Sequence, residues 1–238
     1  MRAPRSALAG QTYQIVLEGH NGSVVFHDHE DHVAWLNLLA QQAREHQVDW
    51  HAYVTLPSQA RLLATPRHAD SLSRWMQACG RLMAQRVNQR FQRRGSLWEG
   101  RFRSALVQPD LHVLQVMVWF DWVAVLKGLA TSSVDYPWSS YHHYSGGQSH
   151  RGLIAPPAYW ALGNDPFARE QAYRTRVQQG LPASLAAQLE SWSWRGLGYG
   201  DAVFLQQMEQ SFGIKLVPKP RGRPPKKVAY QPQKTIAN

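Results

Sequence analysis

The stretch that most constrains the fold is His51–Pro66, in which two apolar runs flank the dipeptide Pro57-Ser58. Proline has no N–H to donate to a strand ladder, so a strand is entered or locally broken at this point. Strand side chains alternate between the two faces of a sheet, so Gln59 and Arg61 share one face. Two polar side chains on one face of an otherwise apolar strand are typical of a functional site. We therefore predict a central strand that carries a site at these two residues.

The same stretch resembles the central strand of the HUH single-strand transposases, and most closely that of the REP-associated tyrosine transposases. Leu56-Pro57 stand where such relatives have Met-Pro, and Ser58 stands at their Asn. Leu62-Leu63 stand at their pair of leucines. In these relatives a His-x-His pair on the strand holds Mg²⁺ or Mn²⁺, and a tyrosine attacks the scissile phosphate that the ion polarises.

The resemblance places the two metal-binding histidines at Gln59 and Arg61. Glutamine is a poor, neutral ligand, and arginine has no lone pair to donate and repels a cation. The apolar stretch Leu111–Lys127 matches the helix that carries the tyrosine, and the resemblance places that nucleophile at Trp119 and a ligand asparagine at Val123. Indole cannot form a phosphodiester link, and valine has no donor atom for a metal. We therefore expect no catalytic residue and no metal cofactor in this chain.

These four positions are predicted to face one another. Residues i and i+4 share a face of a helix, so Trp119 and Val123 should lie opposite Gln59 and Arg61. We expect Trp119 to fill the space that an ion would leave. Because an unpaired buried charge is costly, Arg61 should reach a carboxylate, solvent or a DNA phosphate.

A second candidate site is the segment Gln92–Ser104, which contains four arginines, two glycines and two aromatic residues. This mixture suits contacts with phosphates and stacking on bases. It is also the most specific match to the family, whose resemblance extends from Thr12 to Tyr144 and continues more weakly beyond. We assign Trp98 and Phe102 to the core. The predicted DNA-binding residues are Arg93, Arg94, Arg101 and Arg103.

Hydrophobic periodicity predicts the secondary structure around these sites. Strands are predicted at Thr12–Val16 and Ser23–Phe26, and helices at Asp28–His46, Ser71–Phe91 and Leu111–Lys127. The resemblance implies an α+β fold, with a ferredoxin-like, mainly antiparallel sheet and its two main helices on one face.

We expect three parts, namely an HUH transposase-like domain at residues 1–146, a helical C-terminal part at 147–214 and a basic tail at 215–238. The tail lacks acidic residues and is rich in proline, so it is not expected to bury a core. The run Pro220–Pro224 resembles an AT-hook, in which arginines enter the narrow minor groove of A/T-rich duplex. Its predicted DNA-binding residues are Arg221, Arg223, Lys226 and Lys227.

The charge of the chain points to a polyanionic partner. The formal net charge is +10 and the pI is about 10.0. The single cysteine, Cys79, excludes a disulfide framework and suits a reducing cytoplasm. We expect a cytoplasmic, nucleoid-associated protein that binds single-stranded or hairpin DNA, and A/T-rich duplex through its tail.

The favoured hypothesis is a transposase-like DNA-binding protein that has lost its metal-dependent nuclease chemistry. An active strand-transfer enzyme is one alternative, and it would need another metal site, such as one built from His27, His29 and His32. These histidines lie at a helix start beside acidic residues, where a solvated cap is the simpler interpretation. An interaction protein that inhibits an active relative is the other alternative.

Overall fold

The computed structural model describes residues 7–217, except for the side chain of Leu111. A single 3-10 turn, His20–Gly22, follows the first strand. Within the described residues, no helix combines the length and apolar character needed to cross a bilayer. In chain order the strands and α-helices are β1 (Thr12–Glu18), α1 (His29–Glu45), β2 (Val48–Leu56), β3 (Gln59–Pro66), α2 (Ser71–Arg90), β4 (Arg103–Val107), α3 (Leu111–Leu126), α4 (Tyr141–Tyr144), α5 (Pro157–Trp160), α6 (Pro166–Gln179), α7 (Ala183–Arg195) and α8 (Ala202–Phe212).

The four strands form one antiparallel sheet in the order β2-β3-β1-β4. Helix α1 connects β1 to β2, helix α2 connects β3 to β4, and the two helices pack against each other. This strand order and these connections define the ferredoxin-like plan. The predicted α+β class and its antiparallel sheet are therefore confirmed, as are the three predicted long helices to within one residue at each end.

The stretch predicted as one central strand is a hairpin. Strands β2 and β3 pair with each other, and the pair Leu56 and Gln59 closes the ladder at Pro57-Ser58. The break predicted at this dipeptide is thus a reversal of the chain. The proline suits this place because it need not donate to the ladder.

The strand predicted at Ser23–Phe26 is wrong, since this segment does not join the sheet. Instead, the N–H groups of Val25 and Phe26 both donate to the carbonyl oxygen of Pro57, at 2.7 and 3.0 Å. Both side chains are buried in the core. Their apolar character reflects packing beneath the hairpin turn and not pairing with a strand.

Helices cover both faces of the sheet. On one face, Thr55 Oγ1 lies 2.7 Å from Nδ1 of His32 on α1. Val54, the residue before Thr55 on β2, faces the other side of the sheet and pairs with Arg61 on β3. The Arg61 side chain reaches α3 and α7 on that side. Helix α7 packs against β1 and β4. The part predicted at residues 147–214 therefore shares with α3 the helical layer that covers the candidate site.

The start of the predicted tail belongs to the core. Leu216 is 5% exposed, and its carbonyl oxygen accepts a hydrogen bond from the N–H of Gly198 at 2.9 Å. Its own N–H donates to Oε1 of Glu209 at 2.7 Å. The expectation that residues 215–238 bury no core is therefore wrong for Leu216, whose apolar side chain packs against the preceding helical part. The predicted DNA-binding residues Arg221, Arg223, Lys226 and Lys227 lie outside the described residues.

Candidate functional site

Arg61 is the buried centre of the candidate site on β3, with 1% of its surface exposed. Its Nη2 donates to both carboxylate oxygens of Glu190 on α7, at 2.7 and 2.8 Å. The same nitrogen donates to Oε1 of Gln59 at 3.2 Å. Gln59 then donates from Nε2 to Oε1 of Glu18 on β1 at 3.0 Å. The two polar residues predicted to share a strand face therefore interact, and Arg61 reaches a carboxylate as expected.

Trp119 lies against the guanidinium group of Arg61. The Arg61 Cζ atom is 4.8 Å from the centroid of the Trp119 ring, within the range of a cation–π contact. Trp119 is 1% exposed and Val123, one turn further along α3, is also buried. The predicted juxtaposition of helix and strand is therefore present for Trp119 and Arg61. An indole occupies the space beside the strand positions.

The pair formed by Arg61 and Glu190 is ionic. Burial lowers the pKa of Arg61, while the negative charge of Glu190 opposes this effect. An arginine starts so far above neutral pH that the guanidinium stays protonated. Burial raises the pKa of Glu190, but the charge of Arg61 and the hydrogen bond from the Trp194 indole outweigh it, so the pKa lies below its ordinary value.

A divalent ion does not fit these residues. Arg61 brings a fixed positive charge to one of the two positions that the resemblance assigns to metal-binding histidines, and Gln59 at the other is held by Glu18 and Arg61. The Trp119 ring fills the adjoining space. In residues 7–217 no group of three or more His, Cys, Asp or Glu side chains is placed to hold a metal.

The three histidines near the start of α1 contact other side chains of the protein, and two of them share one partner. His27 Nδ1 lies 3.3 Å from Oδ2 of Asp31, while the ring of His29 meets Trp138 edge-on. His32 stacks on Trp138 with ring centroids 4.2 Å apart, and burial lowers its pKa to about 4. These contacts give His32 the role of a neutral core side chain. The geometry does not favour the alternative metal site that the sequence left open.

The arginine-rich segment between α2 and β4 is anchored by its aromatic residues. Trp98 is buried, and its Nε1 donates to the carbonyl oxygen of Gly80 at 3.1 Å. Phe102 is half-buried and packs against the core. The segment is thus a fixed loop whose arginines project from a packed base.

The four arginines of this segment have different surroundings. Arg94 and Arg101 are exposed, and Arg93 is half-buried with its Nη2 3.5 Å from the Ser96 carbonyl oxygen. Arg103 is exposed, yet its Nη1 donates to the Trp194 carbonyl oxygen at 2.8 Å. Contact of these arginines with DNA stays a prediction.

Trp194 links the arginine segment to the strand site. Its ring centroid is 5.9 Å from Cζ of Arg61 and 5.5 Å from Cζ of Arg103. Its Nε1 donates to Oε1 of Glu190 at 2.9 Å, across one turn of α7. Sequence reasoning missed the roles of Glu190 and Trp194. Their i, i+4 spacing on a predicted helix was the only available signal, and it did not indicate which strand they would contact.

A cavity of about 400 Å³ lies between α2 and the arginine segment. Its lining includes Arg81, Arg101, Trp98 and Phe102. Aromatic side chains with nearby arginines are suited to a nucleobase and its phosphate. The segment therefore offers a concave surface beside its exposed cations.

Comparisons with known proteins identify the fold. No protein-family model and no curated protein matches the sequence. Among solved structures, the chain is similar to a REP-associated tyrosine transposase bound to a REP hairpin, with a TM-score of 0.52 and 15% identity over 66% of this chain and 93% of that one. It also matches a candidate transposase from Deinococcus radiodurans R1, with a TM-score of 0.36 and 20% identity over 46% of this chain and 88% of the other. The chain therefore has the fold of a REP-associated tyrosine transposase.

Proposed function

We propose that this protein is a transposase-like DNA-binding protein that binds single-stranded or hairpin DNA without metal-dependent tyrosine nuclease chemistry. The observation that carries the proposal is the contact between the buried guanidinium of Arg61 and the indole of Trp119. A cation and an indole stand where the resemblance assigns a metal ligand and the nucleophile. Neither side chain can perform the role of the residue it replaces.

Tyr136 is the first tyrosine after Trp119 in the sequence, and it does not offer a substitute nucleophile. Tyr136 is buried, and its hydroxyl donates to the backbone carbonyl of Thr55 at 2.6 Å. Burial raises the pKa of Tyr136 to about 12. A buried phenol with a raised pKa is a poor nucleophile at neutral pH.

Three observations support DNA as the partner. The net charge of +10 favours a polyanion. Arg94 and Arg101 are exposed on a loop that also borders the cavity beside α2. The solved transposase with the same fold is bound to a hairpin. The tail extends this proposal to A/T-rich duplex, through Arg221, Arg223, Lys226 and Lys227.

Two assays on the purified full chain test the proposal. Fluorescence anisotropy with hairpin, single-stranded and duplex oligonucleotides should show binding that weakens steeply as salt rises, because each neutralised phosphate releases counterions. Denaturing gels with Mg²⁺ or Mn²⁺ should show neither cleaved DNA nor a covalent protein–DNA adduct. An adduct that disappears when one tyrosine is replaced would refute the loss of nuclease chemistry. Binding that is absent, or independent of salt, would refute DNA as the partner.

A further inference from the structure

The ion pair between Arg61 and Glu190 leaves most of the guanidinium unsatisfied. Both oxygens of the Glu190 carboxylate accept from one nitrogen, Nη2. A planar guanidinium forms its strongest pairs through two parallel N–H donors. Here Nε and Nη1 of Arg61 are buried without an acceptor among the described residues. A buried donor without an acceptor is costly, so the Arg61 guanidinium can donate more hydrogen bonds to oxygen atoms than it makes here.

Glu190 lies between this cation and solvent. The side chain of Glu190 is 37% exposed, whereas that of Arg61 is 1% exposed. The carboxylate can therefore leave by rotation of its own side chain, without movement of α7. If the carboxylate leaves, the position that it vacates connects the Arg61 guanidinium with solvent.

The groups around this position are mainly suited to an anion. Lys127 is exposed and its positive charge acts on Glu190. Arg103 lies on the same Trp194 ring as Arg61. Glu18 is the opposing charge, and it accepts a hydrogen bond from Gln59, which separates it from the guanidinium. The half-buried Trp194 ring also offers a surface on which a base can stack.

We propose that the Arg61 guanidinium is a binding site for a backbone phosphate of a DNA strand, and that Glu190 occupies this site when DNA is absent. The proposal rests on the proposed function. A phosphate carries the same sign of charge as the carboxylate and offers more oxygen acceptors, so it can satisfy the donors that Glu190 leaves unpaired. The fixed charge of Arg61 would hold the strand where the resemblance places a metal ion, without the coordination chemistry that cleavage requires.

The first test removes the competing charge. Glu190→Gln keeps the shape of the side chain and an acceptor for Trp194, but it pairs less strongly with Arg61. It should bind a single-stranded or hairpin oligonucleotide roughly tenfold more tightly than the unmodified chain, the effect of one charge-assisted contact. The dependence of log affinity on log salt should stay close to that of the unmodified chain, because Arg61 binds the same phosphate in both complexes once Glu190 is displaced.

Glu45→Gln is the matched control, because it removes the same charge from an exposed position at the end of α1, on the opposite side of the sheet. Glu45→Gln should change the affinity for the oligonucleotide much less than Glu190→Gln does. Adding Arg61→Met to Glu190→Gln should abolish the gain. Equal affinities of Glu190→Gln and Glu45→Gln, or a gain that survives Arg61→Met, would overturn the site while leaving the proposed function intact. Failure of the unmodified chain to bind DNA would overturn both.

A second measurement follows the exchange directly in the unmodified chain. Since the Trp194 Nε1–H donates to Glu190, its NMR signal should shift when an oligonucleotide displaces that carboxylate. The Nε1–H of Trp75 donates to the Leu39 carbonyl oxygen in the core, so its signal should stay in place. Trp194→Phe and Trp75→Phe assign the two signals. Saturating DNA that leaves the Trp194 signal unchanged would contradict the exchange of Glu190 for phosphate.

Discussion

The hydroxyl of Tyr173 on α6 donates a hydrogen bond of 2.6 Å to the carboxyl group of Asp121 on α3, and both side chains are fully buried. The adjacent Trp122 donates from its indole to the carbonyl oxygen of Val177 at 2.7 Å. Two neighbouring residues of α3 are thus attached to α6. Because α3 also carries Trp119 against Arg61, the helical part after residue 147 helps to fix the candidate site.

The buried Asp121 predicts how stability depends on pH. Burial raises its pKa from 3.8 to about 7. Between these values the folded chain holds a proton on Asp121 that the unfolded chain has released, so the contribution of Asp121 to the free energy of unfolding should fall as pH rises through this window. The loss from this group should be on the order of 4 kcal/mol. Asp121→Asn, which can still accept from Tyr173, should remove it.

Urea unfolding at a series of pH values measures this effect. Asp70→Asn is the control, because Asp70 is an exposed carboxylate at the start of α2. That substitution should leave the pH profile close to that of the unmodified chain. If Asp121→Asn and the unmodified chain show the same dependence of stability on pH, Asp121 does not titrate in this window.

The surroundings of the arginines predict different effects of their replacement. Arg94→Ala should weaken DNA binding and flatten its salt dependence by about 0.7 for a single strand, with a change in stability within ~0.5 kcal/mol. Arg103→Ala should also lower the free energy of unfolding by ~1 kcal/mol, because it removes the hydrogen bond to the Trp194 carbonyl. Anisotropy titrations and urea unfolding provide the two measurements.

Arg44→Ala serves as the charge-matched control for this pair. Arg44 is exposed in the last turn of α1, away from the arginine segment. Equal loss of affinity in Arg44→Ala and Arg94→Ala would show that the segment contributes only through the overall charge of the protein.

The central part of the site could be predicted because local periodicity determines it. Strand alternation places Gln59 beside Arg61, and they interact at 3.2 Å. The helical repeat places Trp119 and Val123 on one face, and the resemblance indicates which strand that face meets. The contact between Arg61 and Trp119 follows from these two periods together with the resemblance, which brings the helix and the strand together.

The partners from distant elements could not be predicted in this way. Glu190 lies 129 residues after Arg61, and no local pattern specifies that α7 covers this face of the sheet. The segment Ser23–Phe26 failed for another reason. Its apolar residues are buried beside the hairpin turn, and burial alone gives the same sequence pattern as a short strand.

Restoring the residues expected from the resemblance should recreate a metal site on this backbone. The variant would combine Gln59→His, Arg61→His, Trp119→Tyr and Val123→Asn. Two imidazoles on one strand face and an asparagine on the facing helix supply neutral donors, and removal of the Arg61 charge ends its repulsion of a cation. We expect Mn²⁺ binding by calorimetry in this variant and none in Trp119→Tyr alone. A folded variant that binds no Mn²⁺ would show that the backbone here no longer matches a metal site.

Two truncations separate the packing of Leu216 from the predicted role of the tail. Removal of residues 218–238 should leave the free energy of unfolding unchanged, since that stretch is proline-rich and basic and is not suited to burying a core. Removal from Lys215 onward should lower the free energy of unfolding by ~2 kcal/mol, because it also deletes the buried Leu216 and exposes its contacts with the helical part.

The shorter deletion should weaken binding to A/T-rich duplex more than to a G/C-rich duplex of equal length, because AT-hook arginines enter the narrow A·T minor groove. Urea unfolding and anisotropy titrations on both truncated chains measure these effects. An equal loss on both duplexes would leave the tail as a source of electrostatic affinity only, and equal stability of the two truncated chains would contradict the structural role of Leu216.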